Sequence, residues 1–332
     1  MLLIAGISFA LFIFLPRHYD VPQFQPRAST QYWDLPTGSR IGYTLLPAKG
    51  QRKSCPVIFL QGGPGGFISN RNIETLQPLA DDGYDVYLYD QIGSGQSSRL
   101  ENIGDYTAER HKQDLEEIVK KIGAEKVILI GQSWGAMLAD LFVADNPTKV
   151  EKLILTGPGP ILPVNPALEN VQAPDSLHLK PPQFTNYQAN LRTMNVRMRV
   201  VNYFATQWKI KLASNHEVDD YATLRENELN KAVVCDTLKA LKGEAGNGYY
   251  AQIMTVKSFD QVKDPRPRLR KASFPVLVMK GQCDNQKWGY TNEYLQVFPN
   301  HKLVVVPDAG HSISIEQLEI YPATILDFLN ED

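Results

Sequence analysis

The feature that most constrains this chain is a pentapeptide near its middle, Gly131-Gln132-Ser133-Trp134-Gly135. It follows the apolar run 127–130 and precedes the mostly apolar run 136–142. A serine at a sharp turn between a strand and a helix has a strained backbone, and glycines two residues before and after it let the two elements approach closely. The pattern therefore predicts a strand, a tight turn and a helix. It places Ser133 at the carboxyl edge of a sheet as a candidate nucleophile.

The composition is that of a globular protein. The chain has 332 residues, of which 43% are hydrophobic and 21% charged, enough for one large core and an inserted subdomain. A net charge of -2, a pI near 6.3 and the lack of a Lys/Arg-rich run exclude a nucleic-acid partner. Three widely spaced cysteines, Cys55, Cys235 and Cys283, predict neither a disulfide framework nor a metal site, and we expect no cofactor.

The amino terminus is apolar. Residues 2–15 carry no charge and are too short for a usual membrane span of about 20 residues. The signal-peptide pattern fits imperfectly, because no basic segment precedes the run and no persuasive cleavage site follows it. We predict a membrane anchor or export signal, followed by a tether up to residue 30. A packed N-terminal helix of a cytoplasmic protein is the alternative.

Strand and helix patterns alternate along most of the chain. Short apolar runs without polar alternation predict buried parallel strands at 56–60, 85–89, 126–130, 152–156, 275–280 and 302–306, preceded by a hairpin over 31–45. A helix is predicted at 107–122, where leucine and isoleucine residues fall on one face. The pattern predicts an α/β fold with a mostly parallel, doubly wound sheet.

The alternation stops between residues 158 and 273. This stretch opens with a proline-rich segment and continues as polar, helix-like sequence, so we interpret it as an inserted, mainly helical cap. We therefore predict an anchor and tether at 1–30 and an α/β core formed by residues 31–157 and 274–332. The cap should lie over the carboxyl edge of the sheet, where ligands bind in such folds.

A serine nucleophile needs a histidine base and a carboxylate that orients it. Of six histidines, His311 is the best candidate, because it follows the last predicted strand at the same sheet edge as Ser133. Asp284 leaves the preceding strand and is the preferred acid; Asp308 is its rival, although it lies only three residues from His311. The order Ser133, Asp284, His311 is that of the α/β-hydrolase fold.

Two backbone N–H groups are expected to stabilise the oxyanion that forms during acyl transfer. One belongs to Trp134, which follows the nucleophile. The other should come from the glycine-rich loop 61–66, with Gly63 as the preferred donor and Gly62 as the alternative.

Three motifs together resemble the proline iminopeptidase (prolyl aminopeptidase) family of α/β hydrolases. They are Gln61-Gly62-Gly63-Pro64-Gly65, Asp90-Gln91-Ile92-Gly93-Ser94-Gly95-Gln96-Ser97 and the pentapeptide around Ser133. The resemblance implies the same triad and oxyanion donors. We interpret residues 90–97 as a rigid turn beside the pocket rather than as catalytic residues. The first motif begins with Gln61 where the family typically has histidine, and the cap resembles the family poorly.

The resemblance also implies how a peptide would be held. Members that release N-terminal proline use cap carboxylates to bind the free ammonium of the substrate. Glu226 and Glu228 are the candidates here, although a solvated helix face explains them equally well.

Three functions remain open at this stage. The first is an aminopeptidase that releases N-terminal proline or a similar small residue through an acyl-enzyme on Ser133. The second is a carboxylesterase or lipase-like hydrolase of small acyl esters, because one triad serves both reactions. The third is a membrane-tethered binding protein on an inactive hydrolase fold.

Overall fold

The computed structural model describes residues 14–331. Residues 1–13 and 332 lie outside the described part, and most of the predicted anchor at 2–15 falls there. Among the residues described, no helix has the length and apolar character required to cross a bilayer. The anchor therefore stays a prediction.

The described chain contains one sheet of eight strands in the order β1-β2-β4-β3-β5-β6-β7-β8. β1 pairs antiparallel with β2 and β2 with β4, whereas the remaining neighbours are parallel. The predicted α/β fold, with its hairpin and six core strands, is confirmed. The strand bounds are β1 Gln31–Asp34, β2 Arg40–Leu46, β3 Val57–Leu60, β4 Val86–Tyr89, β5 Val127–Gln132, β6 Val150–Thr156, β7 Val276–Gly281 and β8 His301–Val306.

Helices cover both faces of this sheet. Their bounds are α1 Asn70–Asp81, α2 Ala108–Ile122, α3 Trp134–Asp145, α4 Asn186–Arg192, α5 Val196–Trp208, α6 Asn215–Leu229, α7 Tyr249–Lys257, α8 Arg266–Leu269, α9 Trp288–Val297, α10 Ile313–Glu316 and α11 Ile320–Asn330. The predicted helix at 107–122 is α2, in which the Thr107 side chain caps the first turn and Gly123 ends the helix with φ 75°.

The core consists of two apolar layers separated by the sheet. Along β3, Ile58 and Leu60 pack in one layer, whereas Val57 and Phe59 pack in the other. Both faces of the strand are therefore covered, which explains its apolar sequence without polar alternation.

Residues 158–275, between β6 and β7, contain helices α4–α8 and no strand. The segment that precedes the sheet contacts both this insertion and the core. Tyr19 packs on Tyr221 of α6 with ring centroids 5.6 Å apart. Arg27 forms a buried ion pair of 2.9 Å with Asp90, which follows β4. The stretch predicted as a tether thus makes specific contacts at both places.

Candidate active site

Ser133 lies at the sharp turn between β5 and α3. Its backbone has φ 56° and ψ -115°, a strained conformation for a residue with a side chain. A Cβ atom on Gly131 would lie 2.6 Å from the Gly135 carbonyl oxygen, and one on Gly135 would lie 1.9 Å from the Leu60 carbonyl oxygen. Only glycine fits at these two positions, so the pentapeptide encodes the close approach of strand and helix.

Ser133, His311 and Asp284 lie in one chain of hydrogen bonds. His311 Nε2 is 2.9 Å from Ser133 Oγ, and His311 Nδ1 is 2.9 Å from Asp284 Oδ1. Asp284 follows β7 and His311 follows β8, so the carboxyl ends of three parallel strands bring these side chains together. The rival acid Asp308 points elsewhere, because its side chain is exposed and pairs with Lys180 at 3.2 Å.

The Asp284 carboxylate is buried and surrounded by donors. Burial alone would raise its pKa, but His311 and Lys280 outweigh that effect and lower the pKa of Asp284 to about 2. Lys280 Nζ lies 3.1 Å from Asp284 Oδ2, and the backbone N–H of Gln286 donates to Oδ1 at 2.9 Å. The acid is therefore ionised at neutral pH and fixed in orientation.

The loop 61–66 after β3 faces Ser133, and some of its backbone N–H groups are uncommitted. The Gly62 N–H donates to the Gln61 side chain at 3.0 Å. Within the described chain, the Gly63 N–H has no protein acceptor, and the Trp134 N–H lies in the first turn of α3, where no helical acceptor is available. The two predicted donors, Gly63 and Trp134, thus both have N–H groups that the described chain does not use.

Gln61 occupies the position where the resembling family has histidine, and its side chain holds the loop. Its amide donates to the Phe67 carbonyl at 3.1 Å and to Asn72 Oδ1 at 2.9 Å, while its oxygen accepts from Gly62. Gln61 therefore holds the loop through three hydrogen bonds of its own side chain.

The turn at 90–97 forms hydrogen bonds that hold the loop 61–66. Gln91 donates to the Gln61 carbonyl at 2.7 Å and accepts from the Gly65 N–H at 2.9 Å. Ser94 Oγ donates to the Gly66 carbonyl at 2.6 Å. These contacts agree with the interpretation of this motif as a rigid turn beside the pocket.

A cavity of about 460 Å³ lies above Ser133 and His311 and is bounded by the insertion. Glu226 of α6 lines it, and Glu244, which the sequence analysis did not select, lines it as well. Burial and the nearby charge of Glu244 raise the pKa of Glu226 to about 7, although a hydrogen bond of 2.5 Å from Asn247 opposes this. The same cavity offers a ligand both carboxylates and positively charged groups, because three cations also line it: Arg71, Arg225 and Lys242.

Glu228, the second cap carboxylate predicted from the sequence, does not line this cavity. It forms ion pairs with Lys231 at 2.6 Å and with Arg192 at 3.1 Å. Glu226 and Glu228 of α6 point in different directions, because residues two positions apart do not share a helix face.

One other sequence interpretation was wrong. Cys235 of the insertion and Cys283, next to Asp284, are joined in a disulfide, whereas the cysteine spacing predicts no such pairing. His111 of α2 is buried, with Nε2 3.1 Å from Thr255 Oγ1 of α7. Both contacts involve the insertion, whose packing has no local sequence signal.

The mostly parallel sheet, with a serine at the turn between β5 and α3, defines the α/β-hydrolase class. Residues 56–318 match the family model described as alpha/beta hydrolase fold. The chain therefore belongs to this family of hydrolases.

The resemblance to proline iminopeptidases is confirmed by curated relatives of that name. The proline iminopeptidase of Lactobacillus delbrueckii subsp. lactis is 35% identical over 126 residues, which is 37% of this chain and only 42% of that protein. The proline iminopeptidase of Heyndrickxia coagulans is 26% identical over 294 residues, which is 89% of this chain and 96% of that protein.

A solved structure with the same fold is an esterase (EaEST) from Exiguobacterium antarcticum. It has a TM-score of 0.59 and 19% identity, and the match covers 90% of this chain and 99% of that chain. At this sequence identity the similarity shows a shared fold and does not indicate the substrate.

Proposed function

We propose that the protein is a serine aminopeptidase that releases N-terminal proline, or a similar small residue, from peptides. The observation that carries this proposal is the position of Glu226, a carboxylate that lines the same cavity as Ser133 and His311. A hydrolase of simple acyl esters has no use for an anionic group at this place, whereas a peptide with a free amino terminus does.

The chemistry begins with Ser133 Oγ attacking the carbonyl carbon of the first residue. His311 Nε2 takes the serine proton, and Asp284 stabilises the resulting imidazolium through Nδ1. The tetrahedral oxyanion accepts hydrogen bonds from the Gly63 and Trp134 N–H groups. When the C–N bond breaks, His311 returns the proton to the leaving amine.

The second half-reaction releases the first residue. Water gives a proton to His311, and the water oxygen attacks the acyl carbon of the ester on Ser133. The ester bond breaks, and His311 then returns the proton to Ser133 Oγ. The free amino acid leaves, and the enzyme is restored.

The N-terminal ammonium of the substrate pairs with Glu226, and Glu244 adds negative charge in the same cavity. A charge-assisted hydrogen bond of this kind contributes about 1.5–3 kcal/mol, which corresponds to roughly tenfold to a hundredfold in kcat/KM. The pair therefore selects substrates with a free amino terminus over N-acylated peptides.

The test compares proline-β-naphthylamide, its N-acetyl derivative and p-nitrophenyl acetate as substrates. We expect turnover of the free amine to exceed that of the N-acetyl compound, with the preference reduced at least tenfold in Glu226→Gln. Glu228→Gln is the matched control on the same helix and should keep the preference. Turnover of the ester alone would contradict the proposal and favour an esterase.

A further inference from the structure

The cavity above Ser133 is lined by both carboxylates and cations. Glu226 and Glu244 come from the insertion, whereas Arg71 comes from α1 of the core. The two other cations that line the cavity in the described chain, Arg225 and Lys242, also belong to the insertion. Arg225 is next to Glu226 in sequence and donates to Gln252 at 3.2 Å.

Arg71 lies on the side of the cavity that carries His311. Its Nη2 donates to the Ile315 carbonyl at 3.3 Å, and Ile315 is four residues beyond His311. His311 protonates the departing amine in the proposed reaction, so the residue that leaves must occupy this side. Arg71 is therefore placed next to the second residue of a bound peptide.

The guanidinium of Arg71 has donors that the protein does not use. Its Nη1 donates to no group in the described part of the chain and, unlike the enclosed Nε, is not buried. No carboxylate among those residues pairs with the guanidinium, and Glu74, one turn along α1, does not line the cavity. The accessible Nη1 group can therefore donate charge-assisted hydrogen bonds to an anionic ligand in the cavity.

The first turn of α1 adds to this preference for an anion. Arg71 is the second residue of the helix, whose N-cap Ser69 also lines the cavity. The N-terminus of a helix of 12 residues carries a partial positive charge. The N-terminus of α1 and the Arg71 guanidinium thus both favour the binding of a negatively charged group.

We propose that Arg71 binds the α-carboxylate of the leaving amino acid, so that the preferred substrates are dipeptides with a free carboxyl terminus. This inference rests on the proposed aminopeptidase function. In a dipeptide the carboxylate is attached to the carbon that bears the departing nitrogen, next to His311. The cavity then binds both ends of a zwitterion, with the ammonium at Glu226 and the carboxylate at Arg71. Longer peptides carry an uncharged amide at the second position and lose this contact.

The test uses the full chain and two substrates that differ only in charge, prolyl-alanine and prolyl-alanine amide. We expect wild type to favour the free acid by about tenfold in kcat/KM, mainly through a lower KM, because one charge-assisted contact is lost with the amide. In Arg71→Gln the ratio should fall to about one, and Arg71→Lys should retain part of it because the positive charge remains.

The ratio is taken within each preparation, so partial unfolding of a variant does not change it. Arg199→Gln, an exposed arginine outside the cavity, is the matched control and should keep the wild-type ratio. Equal cleavage of acid and amide by wild type, or an unchanged ratio in Arg71→Gln, would overturn the inference while leaving the aminopeptidase function intact. Failure to cleave any prolyl compound would instead refute the proposed function, and this inference with it.

Discussion

Lys280 Nζ lies 3.1 Å from Oδ2 of Asp284, the carboxylate oxygen that His311 does not contact. Both side chains are almost completely buried, with exposed fractions of 2% and 0%. Lys280 also donates to the Gln286 carbonyl at 3.0 Å. The acid of the proposed triad is thus held from both sides, by the histidine at one oxygen and the lysine at the other.

Replacing this lysine tests how far it supports the acid. Lys280→Met removes a positive neighbour and leaves a buried carboxylate short of a partner, so stability should fall by about 3 kcal/mol at pH 7. Lys302→Met, which breaks an exposed ion pair with Glu331, should cost less than about 1 kcal/mol. Chemical denaturation measures both values, and equal losses would contradict this role.

The same variant has a predictable pH dependence. The pKa of Asp284 lies at about 2, below its ordinary value of 3.8, so the ionised carboxylate stabilises the fold above about pH 4. That stabilisation is lost as the pH falls toward 2. The stability difference between wild type and Lys280→Met should therefore shrink between pH 4 and pH 2, as seen in denaturation curves recorded across this range.

The pKa of Glu226 predicts a pH dependence of substrate selection. Burial and Glu244 raise this pKa to about 7, and only the ionised carboxylate binds an ammonium group strongly. The ratio of kcat/KM for proline-β-naphthylamide to that for p-nitrophenyl acetate should rise from pH 6 to about pH 7.5. Over this range the amino group of the substrate keeps its proton, because the usual α-amino pKa is about 7.7–8.0.

The ester lacks an amino group, so its kcat/KM does not depend on an ammonium contact with Glu226. The ionisation of groups that both reactions share changes both kcat/KM values and cancels in their ratio. In Glu226→Gln the ratio should be low and flat with pH. A rise of wild-type size in this variant would show that another group is responsible.

The N-terminal segment should contribute to the stability of the site. Arg27 pairs with the fully buried Asp90, whose Oδ1 also accepts from the Ile68 N–H at 2.8 Å. Arg27→Met should lower stability by about 3 kcal/mol and weaken the support of the adjacent loop 61–66. Arg40→Met, at an exposed and long ion pair with Asp34, should have little effect. Thermal unfolding compares the two, and an unaffected Arg27→Met would show that the segment is a loose tether.

The sequence predicts the serine turn and the order of the triad because both depend on local rules. Glycine at positions 131 and 135 is required by contacts within a few residues, and parallel strands carry Asp284 and His311 to one edge. In the sequence, Lys280 is simply the last residue of the predicted strand 275–280. Its role depends on the Asp284 carboxylate, which lies in the loop after the strand. No periodicity in the sequence indicates this contact.

The insertion was harder to predict for a different reason. Glu244 and Cys235 lie in irregular segments whose positions depend on how the insertion packs over the sheet. Cys235 and Cys283 are separated by 48 residues, and their Cα atoms are 5.1 Å apart only after that packing. Glu226 was selected by analogy with a family, and its neighbour Glu228 could be rejected only once the helix orientation was known.

The most direct test of the account is covalent labelling of the nucleophile. A fluorophosphonate reacts with a serine that a histidine activates, and intact-mass analysis with peptide mapping locates the adduct. We predict a single adduct on Ser133, absent in Ser133→Ala and strongly reduced in His311→Ala, with hydrolysis lost in parallel. Full turnover by Ser133→Ala, or an adduct on another residue, would contradict the central claim.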